Sequence, residues 1–136
     1  MRVYIAGPWA TRGDMPDIAS QVESAGHVVT HKWWETEDTP EGVGTDNVLR
    51  QQALNDVNGV KQAHLVLLIN SAKSEGKSLE CGVAIGDNKP ILAVGKRGDH
   101  SKNVFHYLDN FHWVPTVEDA VKVLNTLSWL TGYTKL

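Results

Sequence analysis

The sequence predicts an α/β fold, a doubly wound parallel sheet of five strands within one domain. Short apolar runs alternate with segments of helical periodicity along the 136 residues. The run His64–Ile69 is nearly continuous in apolar residues, which is typical of a strand covered on both faces. A chain of this length fits one ordinary domain, so we expect residues 1–136 to form a single unit.

The first half of the chain contains two predicted strands and two predicted helices. Arg2–Ala6 is a strand that stops at a Gly-Pro turn signal, and His27–Trp34 is the second strand. Apolar residues recur at helical spacing before Gly26, which ends the first helix. The second helix covers Val48–Lys61, and its apolar stripe consists of Leu49, Ala53, Val57 and Val60. Residues 35–46 are acidic and rich in turn formers, which predicts a mobile surface loop of the kind that often has a function.

The second half continues the alternation and places the expected site. Asn70–Lys77 is a polar loop, Ser78–Gly86 a helix, Pro90–Val94 the fourth strand and His112–Val114 the fifth. Val117–Leu130 closes the domain as a helix. Ligands of such sheets bind beyond the carboxyl ends of the strands. We therefore expect the site in the loops after the first four strands, which are Gly7–Gly13, Trp33–Asp46, Asn70–Lys77 and Gly95–Asn103.

The net charge and the composition limit which kinds of partner and which cellular compartment we expect. Thirteen Lys and Arg against sixteen Asp and Glu give a net charge of −3, which argues against a nucleic-acid polymer as partner. The single cysteine, Cys81, cannot form an internal disulfide, which indicates a reducing compartment. The apolar run Leu65–Ile69 is far shorter than the roughly 20 residues of a membrane span. We therefore expect a cytoplasmic protein, without membrane insertion, that binds a small molecule.

Two carboxylates occupy positions where the pattern predicts apolar side chains. Asp56 lies on or beside the inward stripe of the second helix, where an unpaired carboxylate is costly. Glu80 is the only charged residue of the segment Leu79–Gly86, which is apolar nearly all round. In the first turn of its helix, free N–H groups and the dipole would keep Glu80 ionised, which suits a nucleophile. Both also have structural interpretations, as a paired helix-edge residue and as a helix-start charge.

Three other sequence features are weaker indications of a functional site. The segment Gly76–Ser78 follows a strand and opens a helix, but Ser71 occupies the position of the first P-loop glycine, which argues against a Walker-type NTPase. The loop is still able to bind a phosphate through N–H groups and hydroxyls, although Glu75 opposes an anion. The six histidines show no metal-ligand spacing, so we expect structural or surface roles for them. Of Trp33 and Trp34, we expect one to stack on a planar ligand and the other to pack in the core.

Three segments carry a resemblance to a known family. Tyr4–Pro8 ends the first strand, Asn55–Lys61 leads into the third, and Leu79–Ala84 is followed by Asn88–Ile91. In that order and spacing they resemble the nucleoside 2-deoxyribosyltransferase family, which includes the 2'-deoxynucleoside 5'-monophosphate N-glycosidases. The similarity covers roughly residues 2–115, and its most specific part is Glu-x-Gly-x-Ala with an Asp 24 residues upstream of the Glu. The resemblance implies a flavodoxin-like parallel sheet and no metal or organic cofactor.

The resemblance also implies roles for individual residues. Glu80 occupies the position of the nucleophile that attacks the sugar C1', and Asp56 that of the acid that protonates the departing base. Tyr4 matches the aromatic residue near the nucleophile and the sugar 2' position, and Gly7 the glycine where the sugar or phosphate approaches the backbone. Asn103 resembles the late-loop residue that family members lend to a neighbouring subunit's site. We therefore expect a homodimer or a higher homo-oligomer that completes the site.

Ser74 bears on the choice between nucleosides and nucleotides. At that position, six residues before the nucleophile, the transferases usually have an Asp that contacts the base, whereas the monophosphate N-glycosidases have a Ser that contacts the 5'-phosphate. Ser74 thus favours nucleotides. Those enzymes also carry a Ser and an Arg after the first strand's glycine, where this chain has Pro8 and Ala10, and Arg12 is a candidate substitute for that Arg. Ser78 replaces a glycine that the family usually has two residues before the nucleophile.

The predicted site combines catalytic and substrate-binding residues. The catalytic set is Glu80, Asp56 and Tyr4, and the substrate-binding set is Gly7, Pro8, Trp9, Ser74, Gly76, Ser78 and Asn103. The expected activity is cleavage of the N-glycosidic bond of 2'-deoxynucleosides or their 5'-monophosphates through a covalent deoxyribosyl intermediate on Glu80. The sugar then passes to water, the slightly favoured acceptor, or to another base. The alternative is a non-catalytic nucleotide-sensing domain, because function resides in the site and not in the fold.

Overall fold

The computed structural model describes residues 1–36 and 45–132 of the chain. One five-stranded sheet has the strand order β2-β1-β3-β4-β5, and every pairing in it is parallel. The strands are β1 (Arg2–Ala6), β2 (Val28–Val29), β3 (Leu65–Ile69), β4 (Ile91–Val94) and β5 (Phe111–Val114). The helices are α1 (Met15–Ser24), α2 (Asp46–Gln62), α3 (Glu75–Gly86) and α4 (Val117–Thr131). This is the flavodoxin-like order, so the predicted fold class is confirmed.

The centre of the sheet forms the core and fixes the ends of the strands that lead to the site. All five residues of β3 are buried, as expected for a strand covered on both faces. β3 pairs with β1 on one side and with β4 on the other, in registers that include Ile5 with Leu67 and Leu68 with Ala93. α1 contacts α4, and α2 contacts α3, which gives the two helical layers of a doubly wound fold.

The second strand is much shorter than the predicted span His27–Trp34, and that prediction is wrong. Only Val28–Val29 pairs with β1, after which the chain leaves the sheet. The indole N–H of Trp33 then donates a hydrogen bond of 2.7 Å to the carbonyl oxygen of Ile5. Because β2 is an edge strand with one neighbour, this tertiary contact redirects the chain, and Trp33–Glu35 forms a single turn of 3₁₀ helix.

The helix that carries Glu80 begins earlier than the predicted Ser78–Gly86. Ser74 is its N-cap, and the Ser74 Oγ accepts a hydrogen bond of 3.3 Å from the backbone N–H of Lys77. A capping serine satisfies one of the free N–H groups of the first turn. Glu80 therefore lies in the second turn of α3, and the prediction that it lies in the first is wrong.

The predicted apolar stripe of α2 is only partly buried. Ala53 is exposed and Val60 fully buried, because the helix packs on the sheet through its C-terminal part. The predicted mobile loop, residues 35–46, falls largely on residues 37–44, which lie outside the described residues. Within residues 1–36 and 45–132, no helix is long and apolar enough to cross a membrane.

Candidate active site

Glu80 is held by a tyrosine from the centre of the sheet. The hydroxyl of Tyr4 donates a hydrogen bond to Glu80 Oε2. Tyr4 lies in β1 with its side chain fully buried, so its ring has little freedom to move. The contact joins β1 to α3 and fixes the orientation of the carboxyl group.

Burial changes the protonation of Glu80. Desolvation raises the pKa of its carboxyl to about 8, because a low-dielectric surrounding disfavours the charged form. The expectation that the helix N-terminus keeps Glu80 ionised is therefore wrong, since the residue lies beyond the first turn of α3. A pKa displaced toward neutrality is a feature of carboxyl groups with catalytic roles.

Asp56 has a partner that sequence reasoning missed. The Nε2 atom of His31 lies 3.3 Å from Asp56 Oδ1, and the two side chains remain about one-third exposed, at 29% and 34% respectively. The pattern favoured a structural or surface role for every histidine. The position of His31 could have identified it, because it follows the second strand at its carboxyl end, where ligands of such sheets bind.

Gly59 allows the partners of both carboxylates to approach α2. A Cβ atom on Gly59 would lie 2.8 Å from Tyr4 Cδ2 and 2.9 Å from His31 Cβ. In addition, Thr30 Oγ1 donates a hydrogen bond of 2.8 Å to the Gly59 carbonyl oxygen. Because Gly59 has no side chain, α2 is able to pack closely against both Tyr4 and His31, one turn beyond Asp56.

The two carboxylates line one small cavity. Its volume is about 130 Å³. The other described residues that line it are Gly7, Trp9, Trp33, Thr36, Gln52, Ser74, Gly76 and Lys77. The rings of Trp9 and Trp33 lie 6.2 Å apart at a tilt of 35°, which gives the cavity an aromatic wall.

Trp34 packs edge-on against Trp33 in the core. No three potential metal ligands converge in the described part of the chain.

The structure brings most of the predicted site residues together. Tyr4 reaches the cavity through its contact with Glu80, and the predicted residues that line it are Gly7, Trp9, Asp56, Ser74, Gly76 and Glu80. Pro8 instead precedes a 3₁₀ helix at Trp9–Asp14. Ser78 and Asn103 line a larger cavity of about 930 Å³ between α3 and the segment 101–111. The Asn103 side chain there accepts a hydrogen bond of 3.0 Å from the Phe105 N–H.

The loop predicted to hold a phosphate is ordered by a buried lysine. The Lys77 ammonium donates to Asn70 Oδ1 at 3.0 Å and to the carbonyl oxygen of Ala72. Burial lowers the pKa of Lys77.

Arg12, the candidate substitute for the family's Arg, contacts Trp9. Its guanidinium lies 4.6 Å from the centre of the Trp9 ring and donates to the Trp9 carbonyl oxygen at 3.1 Å. Arg12 therefore braces the aromatic wall.

Comparisons with known proteins place the fold. No family model matches the chain, and no curated protein matches its sequence. Solved structures do match: a 2-deoxyribosyltransferase from the psychrotolerant bacterium Bacillus psychrosaccharolyticus has 18% identity and a TM-score of 0.67, covering 89% of this chain and 90% of that chain. The CMP N-glycosidase BcmB of Clostridium botulinum has 16% identity and a TM-score of 0.61, covering 93% of this chain and 99% of that chain.

The chain has the nucleoside 2-deoxyribosyltransferase fold. A conserved protein from Enterococcus faecalis V583 shares it, with 16% identity, a TM-score of 0.62, and coverage of 93% of this chain and 98% of that chain. The fold implied by the sequence resemblance is thus confirmed. At these identities the similarity concerns the 2-deoxyribosyltransferase fold alone, and the activity has to be argued from the residues of the cavity.

Proposed function

We propose that the chain cleaves the N-glycosidic bond of 2'-deoxynucleosides or their 5'-monophosphates through a covalent deoxyribosyl intermediate on Glu80. The observation that carries the proposal is the single cavity lined by both Glu80 and Asp56, each with its own partner residue. Two carboxyl groups beside a glycosidic bond supply a nucleophile and a general acid. The structural neighbours named as a CMP N-glycosidase and a 2-deoxyribosyltransferase support the same class of bond.

The first step transfers the sugar to the enzyme. In the free enzyme the desolvated Glu80 holds a proton, and this proton passes to Asp56 before the reaction. In the reactive state Asp56 therefore carries the proton and Glu80 is ionised, with the Tyr4 hydroxyl donating to the anion. A Glu80 oxygen forms a bond to C1' while the bond from C1' to the base nitrogen breaks. The electron pair of that bond goes to the base, which takes the proton of Asp56.

The second step releases the sugar. A water oxygen forms a bond to C1', the bond from C1' to Glu80 breaks, and its electron pair returns to the carboxylate. Asp56 takes the proton of the water and is ready for the next cycle. His31 holds Asp56 through both changes of charge. Water is the favoured acceptor, and attack by the nitrogen of a second base would instead give a deoxyribosyltransferase.

Two features support the proposed substrate class. The Tyr4 hydroxyl is held against the nucleophile while its ring stays buried, so in this proposal the hydroxyl alone comes near the sugar C2' and favours 2'-deoxy substrates. Ser74 and Gly76 line the cavity at the start of α3, where N–H groups and the helix dipole attract a 5'-phosphate. We therefore favour nucleotides slightly over nucleosides.

Release of free base from a substrate panel tests the proposal. Deoxynucleosides, their 5'-monophosphates and the matching ribose compounds are incubated with the enzyme, and the products are separated by chromatography. Glu80→Gln keeps the size of the side chain but removes the nucleophile, so we expect a loss of several orders of magnitude in rate. Glu75→Gln, on the exposed start of the same helix, is the control and should retain activity on the deoxynucleosides, which carry no phosphate for Glu75 to oppose.

Two outcomes contradict the proposal. Normal turnover by Glu80→Gln would exclude a covalent route through this residue. Tight binding of a nucleotide by the wild type, with no base released from any compound of the panel, would instead support the nucleotide-sensing alternative.

A further inference from the structure

Lys77 is a buried lysine whose positive charge the proposed mechanism does not use. The residue is 3% exposed, and its ammonium donates to Asn70 Oδ1 at 3.0 Å and to the carbonyl oxygen of Ala72. Both acceptors are neutral, and no carboxylate within residues 1–36 and 45–132 forms an ion pair with Lys77. Because a buried charge is costly unless it is paired, the expected counterpart of this ammonium is an anionic ligand.

The two acidic residues of α3 do not neutralise this charge. Glu80 lies three residues further along the helix, but its raised pKa of about 8 keeps it protonated in the free enzyme near neutral pH. Glu75 is exposed to solvent at the start of the helix. The helix dipole adds to the cost, because a cation is unfavourable in the first turn, where Lys77 lies. Stability alone therefore does not explain a lysine at this position.

The hydrogen bonds of Lys77 locate its ammonium relative to the proposed active site. Ala72 belongs to the loop between β3 and α3, and Ser74, two residues later, caps α3 and lines the small cavity together with Gly76. The buried ammonium thus lies directly against the loop that borders this cavity. A charge in a low-dielectric surrounding acts over several ångströms, so it attracts an anion at the loop without a direct contact.

We propose that Lys77 is a specificity-determining residue that favours substrates with a 5'-phosphate, an inference that rests on the proposed function for the identity of the substrate. The positive charge of Lys77 offsets the repulsion between Glu75 and an anion, and it attracts the phosphate to the loop at Ser74. A nucleoside has no charge at its 5' end and gains nothing from Lys77. The preferred substrates are therefore the 5'-monophosphates.

Lys77→Met tests the inference because it keeps the length of the side chain and removes the charge. The ratio of kcat/KM for a deoxynucleoside 5'-monophosphate to that for its nucleoside should fall by at least about tenfold, whereas kcat/KM for the nucleoside should change by less than about threefold. Lys61→Met is the control with the same change in charge. Lys61 is exposed in the last turn of α2, before the amino end of β3, so its ratio should equal that of the wild type.

Asn70→Asp separates the charge of Lys77 from its structural contacts. This change keeps the shape of the side chain and places a carboxylate beside the ammonium, which pairs the charge and leaves Lys77 in place. The phosphate preference should again fall by at least about tenfold, and cleavage of the nucleoside establishes that the variant is folded and active. Retention of the wild-type ratio in Asn70→Asp would mean that Lys77 only orders the loop, and would overturn the inference.

A binding measurement tests the inference without base release. Glu80→Gln removes the nucleophile and keeps position 80 uncharged, so calorimetry on this variant measures the affinity for a 5'-monophosphate and for its nucleoside. Adding Lys77→Met should weaken binding of the monophosphate by at least about tenfold and leave binding of the nucleoside within about threefold. Thermal unfolding of each variant establishes that the protein measured is folded.

The possible failures are distinguishable. If the wild type releases bases but Lys77→Met keeps its phosphate preference, or if cleavage of monophosphates and nucleosides falls equally, the inference about Lys77 is wrong and the proposed function stands. If the monophosphate binds in a manner that depends on Lys77 but the wild type releases no base, the proposed function is wrong and phosphate recognition by Lys77 stands. If neither compound binds and no base is released, both are wrong.

Discussion

At the scale of single residues, the two carboxyl groups have different surroundings. Glu80 is desolvated and bonded to Tyr4, whereas Asp56 is about one-third exposed and lies against His31. Two carboxyl groups in unlike environments are able to take unlike roles in one reaction. Asp56 remains open to solvent, whereas Glu80 is enclosed and held by the Tyr4 hydroxyl.

The raised pKa of Glu80 predicts a pH-dependent stability. The folded state keeps this proton up to a pKa of about 8, whereas an unfolded glutamate releases it near its ordinary pKa of 4.5. The contribution is therefore fully present below the unfolded pKa and is lost as the pH rises through about 8. We expect the free energy of unfolding to fall by a few kcal/mol across that window.

Urea denaturation at several pH values measures this effect. The fall should disappear in Glu80→Gln, whose side chain does not titrate, and persist in Glu75→Gln. The same pH dependence in the wild type and in Glu80→Gln would mean that the Glu80 carboxyl is solvated. The conclusion that burial desolvates Glu80 would then be wrong.

The sequence identified both carboxylates because each interrupts an apolar pattern. It did not identify His31, because the importance of His31 depends on a contact between elements. His31 matters only through Asp56, which lies on α2.

At the scale of elements, the site depends on how closely α2 packs against the sheet. Gly59 sets this distance, because Tyr4 and His31 both occupy the space of its missing side chain. Each of these residues is the partner of one carboxylate. The packing of a single helical turn therefore affects both halves of the proposed chemistry.

Gly59→Ala should lower both stability and activity. The new Cβ would lie within 3 Å of the Tyr4 ring and of the His31 Cβ, and the buried ring has no free space to yield. Overpacking of this kind costs about 1–3 kcal/mol, and displacement of Tyr4 and His31 should slow base release. Urea denaturation and the chromatographic assay measure the two effects.

Gly82→Ala is the matched control for that experiment. Gly82 also lies inside a helix, but a Cβ there would meet no described atom within 4 Å. Alanine in place of glycine favours a helix, so this variant should be at least as stable as the wild type. Equal stability and activity of Gly59→Ala and the wild type would show that the close approach has no functional role.

The elements themselves were predictable where local pattern decided them. β1 has its predicted bounds, and β3 differs from the predicted His64–Ile69 by one residue, because continuous apolar runs specify central strands. β2 was not predictable in length, because the bond from Trp33 to Ile5 ends it and no local signal indicates that bond. The start of α3 had a local signal, the capping Ser74, within a segment otherwise typical of a loop.

At the scale of the whole molecule, the larger cavity adjoins the proposed active site. Ser74 and Lys77 line both cavities. Exposed apolar side chains lie along the same segments, namely Leu79, Val104, Phe105, Tyr107 and Leu108. This apolar surface supports the prediction of a homo-oligomer that completes the site, and the role of Asn103 toward a neighbouring subunit stays a prediction.

The central claim is a covalent bond between Glu80 and the sugar C1', and mass spectrometry of a trapped intermediate tests it most directly. A 2'-fluoro-2'-deoxynucleoside or its 5'-monophosphate should slow release of the sugar from the enzyme, because fluorine destabilises the oxocarbenium-like transition state. We predict that the intact protein gains the mass of the fluorinated sugar and that the peptide containing Glu80 carries it. Glu80→Gln should stay unlabelled, whereas Glu75→Gln should label like the wild type. A label on any other residue, or equal labelling of Glu80→Gln, would contradict the account.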